Sequence, residues 1–302
     1  MPITRGLALA FATLLALLLP AAARAADLTL DSSSGYTIPV QINGHALRLR
    51  VDLSASGYVL LNPDAAARAG LGGSMVRSRT LVGPHVLRGS SNAVRLTIAG
   101  TELRERVAWF DRPAVEGADG VISPEVLPYD NIILQLAPEQ PGQRDYEIAL
   151  SFTKSAGLFL PYSVQGHTTG VDFSLFRPRS IATAAAGAVI ATENGGTWSG
   201  ETSEEMISFG IARPVRPMHL ERPLLLGGIA LPDLVVRTAD HRGNFALPSD
   251  QEADSGEVVV TGQTRSRQRA SLSLTIGLDR LGSCTSATYR KAGRLLRLRC
   301  PA

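Results

Sequence analysis

The stretch Arg50-Val51-Asp52-Leu53-Ser54-Ala55-Ser56-Gly57-Tyr58-Val59-Leu60-Leu61 (RVDLSASGYVLL) decides how the rest of the chain is read. It closes an alternating run, Ala46 to Asp52 (ALRLRVD), and passes through small residues into a second apolar run. Alternation of apolar and polar side chains predicts a half-buried strand. Asp52 then stands at the end of that strand, either as a turn acid accepting local backbone amides or as a carboxylate presented for chemistry. Upstream, Tyr36 to Ile42 (YTIPVQI) and ALRLRVD flank Asn43-Gly44, a strong hairpin pattern. Further short β-rich runs, Ala93 to Ile98, Glu105 to Phe110 and Asn131 to Leu136, are separated by Gly, Asn, Pro and Ser turns and predict a mostly β protein. Helical pieces are brief. Asn62 to Ala69 (NPDAAARA) has Asn62 as an expected cap, Pro63 at the first helical position and Gly70 past the end, and Thr183 to Ala191 is a weaker, Ala-rich counterpart.

The same pattern recurs later in the chain. Pro39 to Ser54 (PVQINGHALRLRVDLS) is echoed by Pro161 to Ser174 (PYSVQGHTTGVDFS), and Leu96 to Phe110 by Leu224 to Thr238. Ala118 to Pro128 (ADGVISPEVLP) is paralleled by Ala239 to Pro248 (ADHRGNFALP). Three echoes in one order, displaced by roughly 120 to 130 positions, argue for two copies of one β-unit.

Strand, Asn-Gly-His turn, strand ending in Val51-Asp52, Ala55-Ser56-Gly57, an apolar run and a short Ala-rich helix ending in Ala69-Gly70-Leu71 resemble the lobe of retropepsin-like aspartic peptidases. Ala118 to Ser123 resembles that lobe's apolar ψ-loop segment. Two copies in one chain are similar to the bilobed pepsin arrangement. The resemblance implies two related retropepsin-like (acid-protease) β-barrel lobes, one from residues 27–140 and a degenerate one from 141–250, with a basic extension over 251–302. It also implies an aspartic endopeptidase, or a non-catalytic descendant that binds peptide or protein in the interlobe cleft.

In that family two carboxylates, one per lobe, share a proton because like charges so close cannot both ionise. The resemblance makes Asp52 the first catalytic candidate and Asp172 the second. Ser54 and Ser174, in Asp52-Leu53-Ser54 and Asp172-Phe173-Ser174, become candidate substrate contacts, although the family pattern of Asp-Thr/Ser-Gly is absent from both. Aligning Asp172 with Asp52 requires a gap. Held without one on the Gly-His pair, Ser174 falls opposite Asp52. Thr80 to Arg88 (TLVGPHVLR) occupies the place of the family's flap hairpin, with Gly83 at its tip as a further candidate substrate contact, or is a plain surface hairpin. Arg177 and Arg179 would lower a nearby carboxylate's pKa if they point inward. No cofactor is implied.

Composition sets the address. Arg5, the apolar run Leu7 to Leu19 and Ala23-Arg24-Ala25 read as a secretory signal peptide over residues 1–25. No later stretch approaches the roughly 20 apolar residues of a membrane helix. Export, to the periplasm of a Gram-negative cell, is the expectation, with a peptide or protein as partner. Residues 27–262 hold 19 basic and 26 acidic groups, whereas residues 263–302 hold nine basic and one acidic. An acidic body with a basic end does not fit a nucleic-acid domain. The basic end offers contact with a cell-envelope protein or an anionic surface, or is a solvated tail. Cys284 and Cys300, the only two cysteines, are expected to pair in an oxidising compartment. Gly256 to Thr264 (GEVVVTGQT) resembles the short strand that opens the plug of TonB-dependent outer-membrane receptors. None of the five histidines has metal-ligand spacing, and no Gly-x-Ser-x-Gly elbow or phosphate-binding glycine loop is present.

Overall fold

A computed structural model describes residues 27–72, 75–248 and 270–301. The expected signal peptide and the GEVVVTGQT run lie outside the described residues. The protein is mostly β, 54% strand and 10% helix, with one closed six-strand mixed barrel and two open sheets.

The barrel is built from the first copy. Its strands run Thr37–Ile42, His45–Val51, Gly120–Ile122, Val59–Leu61, Thr101–Phe110, His85–Ile98, and the ring closes where Gln41 and Ile42 pair with Thr97 and Leu96. Asn43 and Gly44 both take positive φ, 51° and 81°, the turn geometry whose twist matches the flanking strands. Alternation along His45–Val51 buries Leu47, Leu49 and Val51 inside the barrel and turns Arg48 out. Each fully buried aliphatic side chain contributes about 1.5–3 kcal/mol by leaving water. Strand Val76–Val82 lies outside the ring, paired among the described residues with His85–Ile98 alone.

Helix Pro63–Arg68 forms as expected, but Asn62 does not cap it. Its amide instead donates to Val115 and Ala118 carbonyls and accepts from the Ala114 and Val115 amides. A buried side-chain amide satisfied on both ends fastens a loop more firmly than a solvent-side cap, which explains the choice.

The second copy forms an open sheet. Hairpin Gly157–Val164/His167–Phe173 is followed by Ser273–Ile276, Ile181–Ala182, Ile229–Arg237, Ile211–Leu226 and Gly196–Trp198, with Ser203–Ser208 also pairing on Ile211–Leu226. Helix Ala184–Asn194 lies buried on this sheet, so close that a Cβ at Gly187 would fall 2.4 Å from Val236. The echoed hairpins Leu96–Phe110 and Leu224–Thr238 do occupy matching places. The third echo does not. The strand running parallel to His45–Val51 is Gly120–Ile122, but its counterpart beside His167–Phe173 is Ser273–Ile276, far beyond Ala239 to Pro248.

Residues 273–301 are therefore woven into the fold rather than appended to it. Ser286–Arg290 and Leu295–Pro301 form the middle of a five-strand sheet with Leu28–Asp31, Asn131–Gln135 and Gln143–Ala149. Tyr289 is wholly buried there and donates to Glu125, whose other oxygen takes Arg294 at 3.0 Å. Arg290 pairs with Glu147, and Arg297 and Arg299 with Asp145. Much of the basic charge of this segment thus faces acids of the same sheet. A Cys284–Cys300 disulfide closes the hairpin.

Candidate functional site

Two loops meet where the two copies face each other. In the first, the strand ends at Asp52, whose amide donates to the Ile122 carbonyl at 3.1 Å. In the second, the Ser174 amide donates to the Ile276 carbonyl at 2.9 Å. Val51 is in register with Ile122 and Phe173 with Ile276. Asp52 and Ser174 also stand equally far past Gly44 and Gly166, the glycines of their hairpin turns. The backbone thus adopts the gap-free pairing: Ser174 is the counterpart of Asp52. Asp172, the expected partner, lies two residues earlier on its strand, at the position matching Arg50.

Side chains repeat the correspondence. Asp52 Oδ1 accepts from the Ser54 amide at 2.9 Å and the Ser54 hydroxyl at 2.8 Å. Ser174 Oγ accepts from the Phe176 amide at 3.3 Å, holding the second loop in the same kind of turn. Ser54 therefore fixes the carboxylate, and Ser174 stabilises its own loop while only 2% exposed. The expected role of these serines as substrate contacts is taken up by neither hydrogen bond.

Six charged side chains gather around the two loops. Asp52 is buried, 7% exposed, with Arg50 Nη2 3.9 Å from Oδ2. Arg50 lies over the Phe176 ring at 3.9 Å, and Phe176 meets Tyr36 edge-on at 5.8 Å, so the second loop is stacked onto the first copy. Asp172 is half-buried, with its Oδ1 enclosed and without a hydrogen-bond partner. Burial pushes its carboxyl up to about 7, against a hydrogen bond from Thr275 and the charge of Arg177, while Asp52 adds a smaller upward push. Burial lowers the Arg177 pKa, and Asp172, Asp52 and Glu205 oppose that. The Arg177 guanidinium also donates to the Met206 carbonyl at 2.7 Å and to that of Ile207, while Arg179 pairs with Glu205 at 2.6 Å. Arg177 points inward toward the acids, whereas Arg179, its side chain 39% exposed, turns to Glu205 instead.

A carboxylate, Asp52, and a hydroxyl, Ser174, occupy the equivalent backbone positions, while the carboxyl of Asp172 is offset from that position by two residues. Arg50, Phe176 and Thr275 were not singled out from sequence. Arg50 read as the polar member of an alternating strand, and Thr275 sat in a segment read as tail. The run Leu272 to Gly277 (LSLTIG), an apolar stretch ending in glycine, was the pattern that could have revealed the short strand beside His167–Phe173.

The hairpin Val76–Val82/His85–Ile98 reaches the second copy. Gly83, at φ 58°, sits so close that a Cβ there would lie 2.6 Å from Asp240 Oδ1 and 2.9 Å from Arg213 Nε, and Arg237 pairs with Asp240 at 2.7 Å. His85 Nε2 is 3.3 Å from Arg213. Gly83 thus abuts a charged cluster of its own chain and lines a small hollow of about 170 Å³ beside Arg237, Asp240 and His241. Val82 and Leu87 pack with Ile211, joining the hairpin to the second copy's Ser203–Ser208/Ile211–Leu226 hairpin. On one side of this hairpin lies a cavity of about 470 Å³ that includes Ser56 and Tyr58 of the Asp52 loop but neither Asp52 nor Asp172.

Among the described residues no cluster of three or more His, Cys, Asp or Glu is placed to hold a metal, and no helix is long and apolar enough to cross a membrane. Comparison with protein-family models and with curated proteins finds no match to this chain.

Proposed function

We propose that the chain is an exported, two-lobed relative of retropepsin-like aspartic peptidases that binds an extended peptide or protein segment between its halves without cutting it. The observation that carries this reading is the pairing of Asp52 with Ser174 at equivalent loop positions. Water attack in that family requires one carboxylate as base and a facing carboxyl as acid. A serine hydroxyl there can position a water but cannot take part in the shared proton. Arg177, beside Asp172, favours the ionised form of that carboxyl and opposes proton sharing further. Two hairpins carry the exposed apolar residues Val76, Leu81, Val86 and Met206, and among the described residues strand Val76–Val82 has one edge unpaired. An unpaired edge takes an extended chain as an added strand. The disulfide and the signal-like leader agree with work outside the cytoplasm. The test is to pass a pool of denatured proteins over the immobilised mature protein. Retention of intact segments, reduced when Val76–Val82 is altered by Arg77→Pro to remove an edge donor, is the expected result; no retention sinks the reading.

One observation favours a second reading. A carboxyl with a pKa of about 7 at Asp172, one oxygen free of hydrogen bonds, is suited to donate a proton near neutrality. Hydrolysis by Asp52 as base and Asp172 as displaced acid would show as cleavage lost in both Asp52→Asn and Asp172→Asn.

A further inference from the structure

The cavity beside the first hairpin has a physical origin in small residues. Val76, Ser91 and Ala108 are directly opposite one another across three strands, as are Ser78, Gly89 and Phe110 in the next row. Serine, alanine and glycine in the central rows leave a hollow that larger residues would fill. Tyr58 and Phe209 contribute apolar wall, the latter from the second copy. The hollow measures about 470 Å³, within the range of small-ligand pockets.

Its charge is one-sided. Arg79 and Arg106 line it, and no Asp or Glu does. Arg106 Nη1 donates to Ser91 Oγ at 3.1 Å, and Ser91 is only 3% exposed, so the guanidinium is held against the floor of the hollow. Among the described residues neither arginine has a carboxylate within ion-pair range, although other arginines of the same sheet do, such as Arg95 with Glu102. Arg79 stands directly opposite Arg88, a like-charge cross-strand pair that weakens the hairpin. The Arg106 guanidinium, without a carboxylate partner at a hollow with hydroxyls and aromatic walls, matches a carboxylate on an apolar stem, which a guanidinium grips through two parallel hydrogen bonds.

We infer that this hollow is a carboxylate-binding pocket. Its ligand is either an acidic residue of a bound extended chain, which rests on the function proposed above, or a free organic acid with an apolar body, which does not. Calorimetric titration separates the sources. Two pairs of probes are used: 3-phenylpropionate against 3-phenylpropionamide, and a blocked alternating Val/Thr hexapeptide with a central Glu against the same peptide with Gln. The proteins are the wild type, Arg106→Gln, and Arg104→Gln as a control on the same strand. The acid is expected to bind about tenfold or more tighter than its amide, as a hydrogen bond to a charged group warrants. Arg106→Gln should erase that preference and Arg104→Gln should leave it. Preference in both pairs supports the pocket and the peptide reading together. Preference for 3-phenylpropionate alone supports the pocket and removes the peptide as its ligand. No binding by any probe, or a preference that survives Arg106→Gln in a variant melting like wild type, overturns the inference.

Discussion

The loop at Asp52 and the loop at Ser174 use one backbone device with different chemistry. Each follows a hairpin whose second strand runs beside a short parallel strand, and each donates its first amide to that strand's last carbonyl. Each also has a side-chain oxygen accepting the amide two residues on. Yet the first oxygen belongs to a carboxylate and the second to a hydroxyl. Two residues earlier the charges are opposite: Arg50 on the first strand, Asp172 on the second. The fold constrains where an acceptor must sit to close the turn, but not whether that acceptor is charged. Turn closure and proton chemistry are separable demands on one position, and the second copy meets only the first.

Changing pH should separate the two copies most strongly. The folded-state pKa of Asp172, about 7, lies above its ordinary value of 3.8, so the native state holds this proton more tightly than the unfolded chain. Its contribution to stability is fully present below about pH 4 and is lost as pH rises toward 7. The loss amounts to at most about 4 kcal/mol at 1.36 kcal/mol per unit, with the Arg177 pairing working to reduce it. Denaturant unfolding of wild type and Asp172→Asn across this window should show the variant gaining on wild type as pH rises. Parallel curves would remove Asp172 from the account.

The residue after each short parallel strand offers the next largest contrast. In the first copy it is Ser123, wholly buried, its hydroxyl accepting the Glu125 amide. In the second it is Gly277, where a Cβ would lie 2.6 Å from the Arg179 carbonyl carbon and 2.9 Å from the Arg177 carbonyl oxygen. Gly277→Ser should cost about 3 kcal/mol because backbone must move, whereas Ser123→Gly should cost about 1 kcal/mol as a lost turn-capping bond. Chemical denaturation of both variants checks the ratio, and equal costs would mean that the two copies are not as differently packed as their contacts show.

A smaller effect is expected at the hairpin tip. Gly83→Ala introduces a side chain at a left-handed φ and against Asp240 and Arg213, which should cost about 1–2 kcal/mol. The loss should be local. Amide exchange should quicken in Val76–Val82 and His85–Leu87 while strands of the five-strand sheet keep their protection, and a uniform loss would show the tip to be part of the global core.

Much of this architecture was legible in the chain because period-two alternation and Asn-Gly or Gln-Gly turns report local geometry directly. His45–Val51 and the hairpin at Gln165-Gly166 were readable for that reason. What was not legible depended on contacts between distant residues. Ser273–Ile276 pairs with Asp172 across roughly a hundred positions of sequence, and its basic neighbours made it look like a solvated tail. Asn62 looked like a helix cap because its local context is that of one, yet four distant backbone groups claim its amide. The alignment of Asp172 with Asp52 departs from the backbone for a similar reason. Matching Val-Asp to Val-Asp favoured a shared residue type, whereas the hydrogen-bond register matches Asp52 to Ser174.

Whether the cleft cuts or only holds is decided most directly by incubating the mature protein with a denatured-protein pool from acid to neutral pH. Mass spectrometry would compare wild type with Asp52→Asn and Asp172→Asn, each first shown to be folded. No fragments above background at any pH, and no difference among the three proteins, is the predicted result. Fragments produced by wild type and absent from both variants would contradict the account and install Asp52 and Asp172 as a working pair.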